Sequence, residues 1–435
     1  MQWVLIYWNM NRLGFFLLIA TVFLLIDIYV YQAVRVVSRS LSDNGQRIVT
    51  FIYWGITVVS LVTYIVMQLI PPDSVGRVTR SMIWAAILIP YFSKFFAVLV
   101  LLLDDIFRLL RWIVSLFYRP DVREAVDNTA QKVIPAAKAI PRSEFLMKTA
   151  LIAGTVPLVG FTYGILSGAH DYRIRRVKLP LKNLPSGFDG MKIAQISDIH
   201  SGSFFNKTAV KGGVEMLMRE KPDVAFFTGD LVNNTADEVK NYIDIFNKVK
   251  APLGVYSTLG NHDYGNYYQW PSLQAKQQNL NNLIAAHKEM GWDILLDENR
   301  ILSAGGDKIA VLGVQNLGFG PAALKRGNLA KAYQGTKDYP VKLLLSHDPT
   351  HWDAEVRPQY PDIDVQFSGH THGAQFGVEI AGVQWSPCQY FYRQWAGLYQ
   401  EGEQRLYVNR GYGYIGYPGR VGILPEITIF ELQKA

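Results

Sequence analysis

Two histidines, His370 and His372, stand two residues apart at the end of an apolar run, in "FSGHTH". On an extended strand end, residues two apart leave on the same face, so both imidazoles can aim at one point. That pattern suits a metal ion better than it suits a core; a solvated loop that happens to hold two histidines is the plain alternative. The rest of the chain decides between them. "SDIH" supplies Asp198 and His200, "TGD" supplies Asp230, "GNHD" supplies Asn261, His262 and Asp263, and "SH" supplies His347. Carboxylate, imidazole and amide donors together suit a borderline divalent ion such as Mn, Fe or Zn. Asp198, His200, Asp230, Asn261, His347, His370 and His372 make seven candidate ligands, too many for one ion and right for two.

Something must carry these side chains to one place. "KIAQISD", "DVAFFTGD", "GVYSTLG", "KIAVLGV", "VKLLLSH" and "DVQFSGH" read as strands, and the segments 207–219, 238–249 and 273–290 read as helices between them. Near-continuous apolar strands alternating with helices predict an α/β fold with buried strands. In open α/β sheets ligands bind at the carboxyl ends of strands, and five of the eight histidines fall at such ends. A strand-end Asp is often only a helix cap, but that reading does not account for the whole set. His170, His287 and His351 lie off the motifs and are expected to be surface or partly buried residues.

The order and residue types of "SDIH", "TGD", "GNHD", "SH" and "GHTH" resemble the calcineurin-like metallophosphoesterase superfamily, over Met191 to the C-terminus. The ending "NRGYGYIGYPGRVGILPEITIFEL" looks like that of a membrane-linked branch containing enzymes of the UDP-2,3-diacylglucosamine pyrophosphatase type. The resemblance implies a β-sandwich flanked by helices. It implies one ion held by Asp198, His200, Asp230 and His372, and another by Asp230, Asn261, His347 and His370, with Asp230 bridging. His262 resembles the family's general acid, and Asp263 is expected to orient it. Ala374 departs from the Gly-Gly often found there; being small, it is expected to matter little.

The first 170 residues carry the chain's apolar excess. Four segments, about 13–34, 48–70, 82–103 and 150–169, are long enough to span a bilayer, which needs about 20 residues each. The expected division is therefore a membrane domain over 1–170 and a catalytic domain over 171–435. Asp27 and Lys94 lie in or near spans, where snorkelling or a simple ion pair is the expected explanation. Arginines and lysines concentrate after the first span and between the third and fourth, which assigns those loops to the cytoplasm. An even number of spans then places the catalytic domain outside. "PRSEFLMK", from residue 141, resembles a twin-arginine export signal with Ser143 where the second arginine belongs.

The net charge of +7 lies largely in the cytoplasmic loops, where anionic lipid accounts for it better than nucleic acid. A single cysteine, Cys388, excludes an internal disulfide. The chemistry expected is hydrolysis of a phosphomonoester, phosphodiester or pyrophosphate bond. The membrane tether favours a lipid-linked or envelope substrate. Arg393 in "CQYFYRQWAGLY" and Arg410 in "RGYGYIGYPGR", among aromatics, are candidate substrate contacts at a rim, the alternative being edge strands packing on the core. A transporter or sensor with a metal- or phosphate-binding outer domain is the competing reading.

Overall fold

The computed structural model describes residues 2–71, 74–117, 142–319, 323–380 and 382–435. The chain divides into two compact units, Met1–Thr162 and Tyr163–Ala435.

Four long helices make up the N-terminal part: α1 (Gln2–Ser38), α2 (Asp43–Leu69), α3 (Arg77–Phe117) and α4 (Arg142–Leu166), the last running on into the second unit. Each contains a stretch long and apolar enough to cross a membrane. Side chains such as Phe51, Val59 and Leu103 are exposed on their surfaces, as expected of helices whose outer face meets lipid rather than water. Ser42 caps α2 by accepting from the Gly45 N–H. Pro90 does not break the third segment; α3 passes through it. Asp27 is buried, and Lys94 pairs with it directly. The Tyr91 hydroxyl donates to its Oδ2 at 2.8 Å and the Tyr53 hydroxyl to its Oδ1 at 3.1 Å. The two charges are thus an ion pair, and hydroxyl donors fill the carboxylate's remaining lone pairs. The basic loop containing Arg119, Arg123, Lys132 and Lys138, and Pro141 of the export-like segment, lie outside the described residues.

The second unit holds β1 (Arg173–Leu181), β2 (Lys192–Ile196), β3 (Val224–Thr228), β4 (Val255–Thr258), β5 (Asp293–Ile294), β6 (Glu298–Ala304) and β7 (Asp307–Gly313). It continues with β8 (Lys342–Leu345), β9 (Val365–Ser368), β10 (Val378–Ile380), β11 (Val383–Trp385), β12 (Gly397–Glu401), β13 (Gln404–Val408) and β14 (Glu426–Lys434). Two six-stranded sheets form, ordered β1-β14-β2-β3-β4-β5 and β12-β13-β9-β8-β7-β6, with β10 and β11 a separate hairpin.

The inner strands β3 and β8 are buried throughout and apolar without alternation because both faces are covered. In β3, Val224 and Phe226 pack into a cluster that also contains Val311, Leu343 and Phe367 of the other sheet. Ala225 and Phe227 point the opposite way, into a cluster with Val214 and Leu217 of α5 (Lys207–Arg219) and Leu283 of α6 (Leu273–Glu289). The second sheet is covered on its far side by Leu329, Trp352 and Val356. The result is a sandwich of two mixed sheets between helical layers. The expected helix over 238–249 shrinks to 3₁₀ turns and one helical turn, Ile243–Phe246. The Glu238 carboxylate accepts the N–H groups of Asn233, Asn234 and Thr235 at 2.6, 3.2 and 3.0 Å, closing a capping box with Thr235 at the first of these turns.

Candidate metal centre

Parallel pairing sets the positions of the motifs. β2, β3 and β4 run parallel in one sheet, and β8 and β9 in the other. Their carboxyl ends meet at one edge of the sandwich, where Gln195 Nε2 crosses between the sheets to the Ser368 carbonyl at 2.9 Å. Beyond those ends the backbone enters the left-handed region at Asp198, His200, Asp230, His370 and His372, with φ of 50°, 48°, 61°, 73° and 52°. Non-glycine residues rarely hold that conformation, and its cost is typically tolerated at functional sites. It turns each side chain off its strand toward a common centre.

Two clusters result. Asp198, His200 and His372 bring one donor atom each within 4.8 Å of one another, as do Asp230, His347 and His370. Asp230 joins the two: its Oδ2 lies 3.5 Å from His200 Nε2 and 3.2 Å from His347 Nε2. His372 Nε2 is 3.3 Å from Asp198 Oδ1. His370 presents its Nδ1 inward, 3.3 Å from His347 Nε2 and 2.9 Å from Asn261 Oδ1. All seven candidate ligands are thereby brought together.

Burial and mutual charge shift the titrating side chains of the cluster in opposite directions. Burial pushes His200 down to about 3 and His372 well below its usual range, so both rings are neutral. Burial also lowers His370 and raises Asp198 to about 6. Asp230 is buried too, but His347 and His262 outweigh that and hold its carboxylate well below the ordinary range. His347 is driven the other way: burial opposes its charge, yet the Asp230 carboxylate raises it to about 10. His200 Nε2 is a buried nitrogen with no hydrogen-bond partner. Buried polar atoms are almost always satisfied, so an orphan facing Asp230 fits a site built for a cation.

A family model described as calcineurin-like phosphoesterase matches residues 191–374, and one described as probable calcineurin-like phosphoesterase, transmembrane domain, matches 11–169. An uncharacterized metallophosphoesterase of Bacillus subtilis (strain 168), YkuE, is 31% identical over 68% of this chain and 99% of its own length. This chain belongs to the calcineurin-like metallophosphoesterase family. A Bos taurus transmembrane protein with metallophosphoesterase domain is also 31% identical, over 69% of this chain and 66% of its own length.

The metallophosphoesterase motifs say little about what lies behind the ligand-type residues. His200 Nδ1 meets Asn233 Oδ1 at 3.0 Å, His347 Nδ1 donates to the Thr228 carbonyl at 2.7 Å, and His370 Nε2 meets the Tyr392 hydroxyl at 2.8 Å. Such outer contacts fix the tautomer and the ring plane of a metal ligand. His372 Nδ1 instead receives Arg420 Nη2 at 3.2 Å. Asn233 follows Asp230 closely enough that the polar run after the strand could have pointed to it. Tyr392 and Arg420 come from distant segments and leave no local signal.

Several expectations need correction. Asp263 does not touch the His262 ring. It accepts the backbone N–H groups of Asp230, Leu231, Val232 and Gly260 at 2.9, 2.8, 3.3 and 2.8 Å. His262 Nδ1 is held by the Asn233 carbonyl at 2.9 Å. Arg410 does not reach a rim. It is 2% exposed and locked between Glu426 and Glu379, because the segment 410–420 packs inside with Tyr412 and Tyr414. Arg393 is exposed, facing Asp353 and Glu401 at 3.9 and 3.8 Å, and does not line the cleft described below. His287 and His351 are fully buried, bonded to Ser257 and Ser346 hydroxyls at 3.0 and 2.8 Å. Ala374 sits at φ 52°, where size is irrelevant and any Cβ is strained.

A cleft of about 570 Å³ opens beside the cluster, lined by Asn261 and His370 and walled by Tyr267, Phe319, Phe391 and Tyr392.

Proposed function

We propose that this protein hydrolyses phosphoester or pyrophosphate bonds at a centre of two divalent cations. Asp198, His200, Asp230 and His372 would hold one, and Asp230, Asn261, His347 and His370 the other, with Asp230 shared. When bound, such a pair supplies a nucleophilic hydroxide near neutral pH and neutralises charge on the phosphoryl oxygens. The observation that carries this reading is the pairing of two buried three-residue clusters through one carboxylate, with His200 Nε2 unpartnered between them. For His372 to present Nε2 as a lone pair, its hydrogen moves to Nδ1. Arg420 can release that nitrogen, since it also donates to carbonyls of Arg410, Gly411 and Gly413.

His262 serves as the proton donor to the leaving oxygen. Its backbone N–H is fixed on Asp230 Oδ1 at 2.9 Å. Its Nδ1–H is committed to the Asn233 carbonyl, so Nε2 carries the proton that is transferred. The Tyr267 ring lies tilted against the His262 ring, with centroids 4.6 Å apart. The aromatic cleft beside His370 receives the leaving group. A lipid-linked or envelope phosphoester, met on the extracytoplasmic side by a catalytic domain spanning 171–435, is the substrate and orientation that the membrane spans and loop charges support.

The transporter or sensor reading gains one observation, the Asp27–Lys94 pair across two spans. That pair is closed on itself by two tyrosine hydroxyls, as befits a clamp between helices. Hydrolysis of bis(p-nitrophenyl) phosphate by the full chain in detergent, with added Mn, Fe or Zn, tests the hydrolase reading. Turnover is expected, and its loss in Asp230→Asn and His262→Ala. Protein carrying two ions per chain that turns over no mono-, di- or pyrophosphate ester would overturn it.

A further inference from the structure

We infer that the β10–β11 hairpin is a membrane-inserting element that brings the mouth of the cleft to the lipid surface; the functional part of this inference rests on the hydrolase reading, the insertion itself does not. The hairpin pairs Val378 with Trp385, Glu379 with Gln384 and Ile380 with Val383. Side chains alternate faces along a strand, so Val378, Ile380, Val383 and Trp385 share one face and Glu379 and Gln384 the other. All four apolar side chains are exposed, Ile380 at 69%. An edge hairpin with a wholly apolar outer face is an aggregation hazard in water and is normally blunted by charge. Here the charge is all on the inner face. Glu379 pairs with Arg175 at 2.5 Å and with Arg410 at 3.3 Å, which fastens the hairpin to β1 and to the buried segment behind the metal cluster.

What covers the apolar face is decided by three further observations. Arg175 follows the end of the last candidate span, His170, by five residues. Extended chain covers at most about 18 Å in that length, which keeps the strand that anchors the hairpin close to the end of that span. The composition is interfacial: Trp385 Nε1 reaches the Tyr390 hydroxyl at 3.5 Å, giving aromatic rings with polar tips beside aliphatic side chains, the mixture that settles at lipid headgroup depth. The apolar surface is also continuous with the cleft. Phe391, 83% exposed, lines the cleft, and its neighbour Tyr392 touches the ligand-type His370. A path of exposed rings therefore leads from the hairpin to the reacting centre. It lets an amphiphile present its phosphate to the ligands while its apolar part stays against lipid.

The test uses the full chain in lipid nanodiscs. Cys388, buried and free, is replaced (Cys388→Ala) so that Ile380→Cys can be labelled alone with an environment-sensitive fluorophore; Lys288→Cys, exposed on a helix, is the control. Insertion predicts that spin-labelled lipids quench the label at 380 by about twofold or more while leaving 288 bright, and that aqueous iodide reaches 288 and not 380. A label at 380 open to iodide overturns the proposal. So does one shielded from both quenchers, which identifies a protein partner as the cover. A second arm measures the double variant Ile380→Asp/Val383→Asp. Turnover of a vesicle-embedded phosphoester should fall roughly tenfold, while that of the soluble bis ester is unchanged. Equal loss on both substrates, or on neither, refutes the functional role. Quenching without turnover on any substrate would retain the insertion and remove the hydrolase reading.

Discussion

Replacing Asp263 by Asn separates two accounts of this residue. The carboxylate is buried and accepts four backbone N–H groups, two per oxygen: Leu231 and Val232 on Oδ1, Asp230 and Gly260 on Oδ2. An asparagine keeps one oxygen and turns an NH₂ toward the other pair. Two buried N–H donors then lose their acceptor, at about 1–3 kcal/mol each, so Asp263→Asn should cost about 4 kcal/mol. At roughly 2–4 °C per kcal/mol for a domain of about this size, the melting temperature should fall by about 10 °C. One orphaned donor belongs to Asp230, whose φ of 61° depends on being held, so metal occupancy should fall as well. His262 keeps its contact with Asn233, so turnover per metal-loaded molecule should stay within about threefold of the parent. The assay is differential scanning fluorimetry in detergent beside metal analysis and turnover on the same sample. An unchanged melting temperature with a hundredfold or greater loss of turnover (about 2.7 kcal/mol) would refute this reasoning and return Asp263 to the role of orienting His262.

Tyr392→Phe removes the hydroxyl on His370 Nε2 and should weaken binding of the adjacent ion by about 10–100-fold, read by competition with a chelating dye. Ala374→Gly should stabilise the protein by about 0.5–1 kcal/mol, since relief of left-handed strain exceeds the added chain entropy; a lower melting temperature would contradict it. Lys94→Met leaves the Asp27 carboxylate buried without its partner and should cost about 3–5 kcal/mol, most of it recovered in Asp27→Asn/Lys94→Met; equal melting temperatures for the two variants would refute the clamp. For chelator-treated protein, the pH dependence follows from His347. Its folded value, about 10, lies above the ordinary 6.5, so its pairing with Asp230 is fully present below 6.5 and lost as pH rises through 10. Stability without metal should fall over that window. Metal affinity should rise across it, with proton release on binding seen in weakly buffered solution.

The sequence by itself singled out the side chains whose donor types suit a metal centre. Ligand types are restricted by donor chemistry, and strand-end placement follows from apolar runs that end in His or Asp, as at "VKLLLSH". It also determined that four segments belong in lipid, because about 20 consecutive apolar residues have no other stable solvent. The tertiary structure alone decided what each side chain answers to. Arg410 and Arg393 look alike in sequence, yet one is sealed between two carboxylates and the other faces solvent. Asp263 adjoins His262, yet its oxygens turn to the backbone behind Asp230. Tyr392 sits behind His370 only because two distant stretches of chain are packed against each other. Chemical identity and period are local and can be read along the chain. Partnership depends on contacts between residues far apart in it, and those exist only once the sheets have closed.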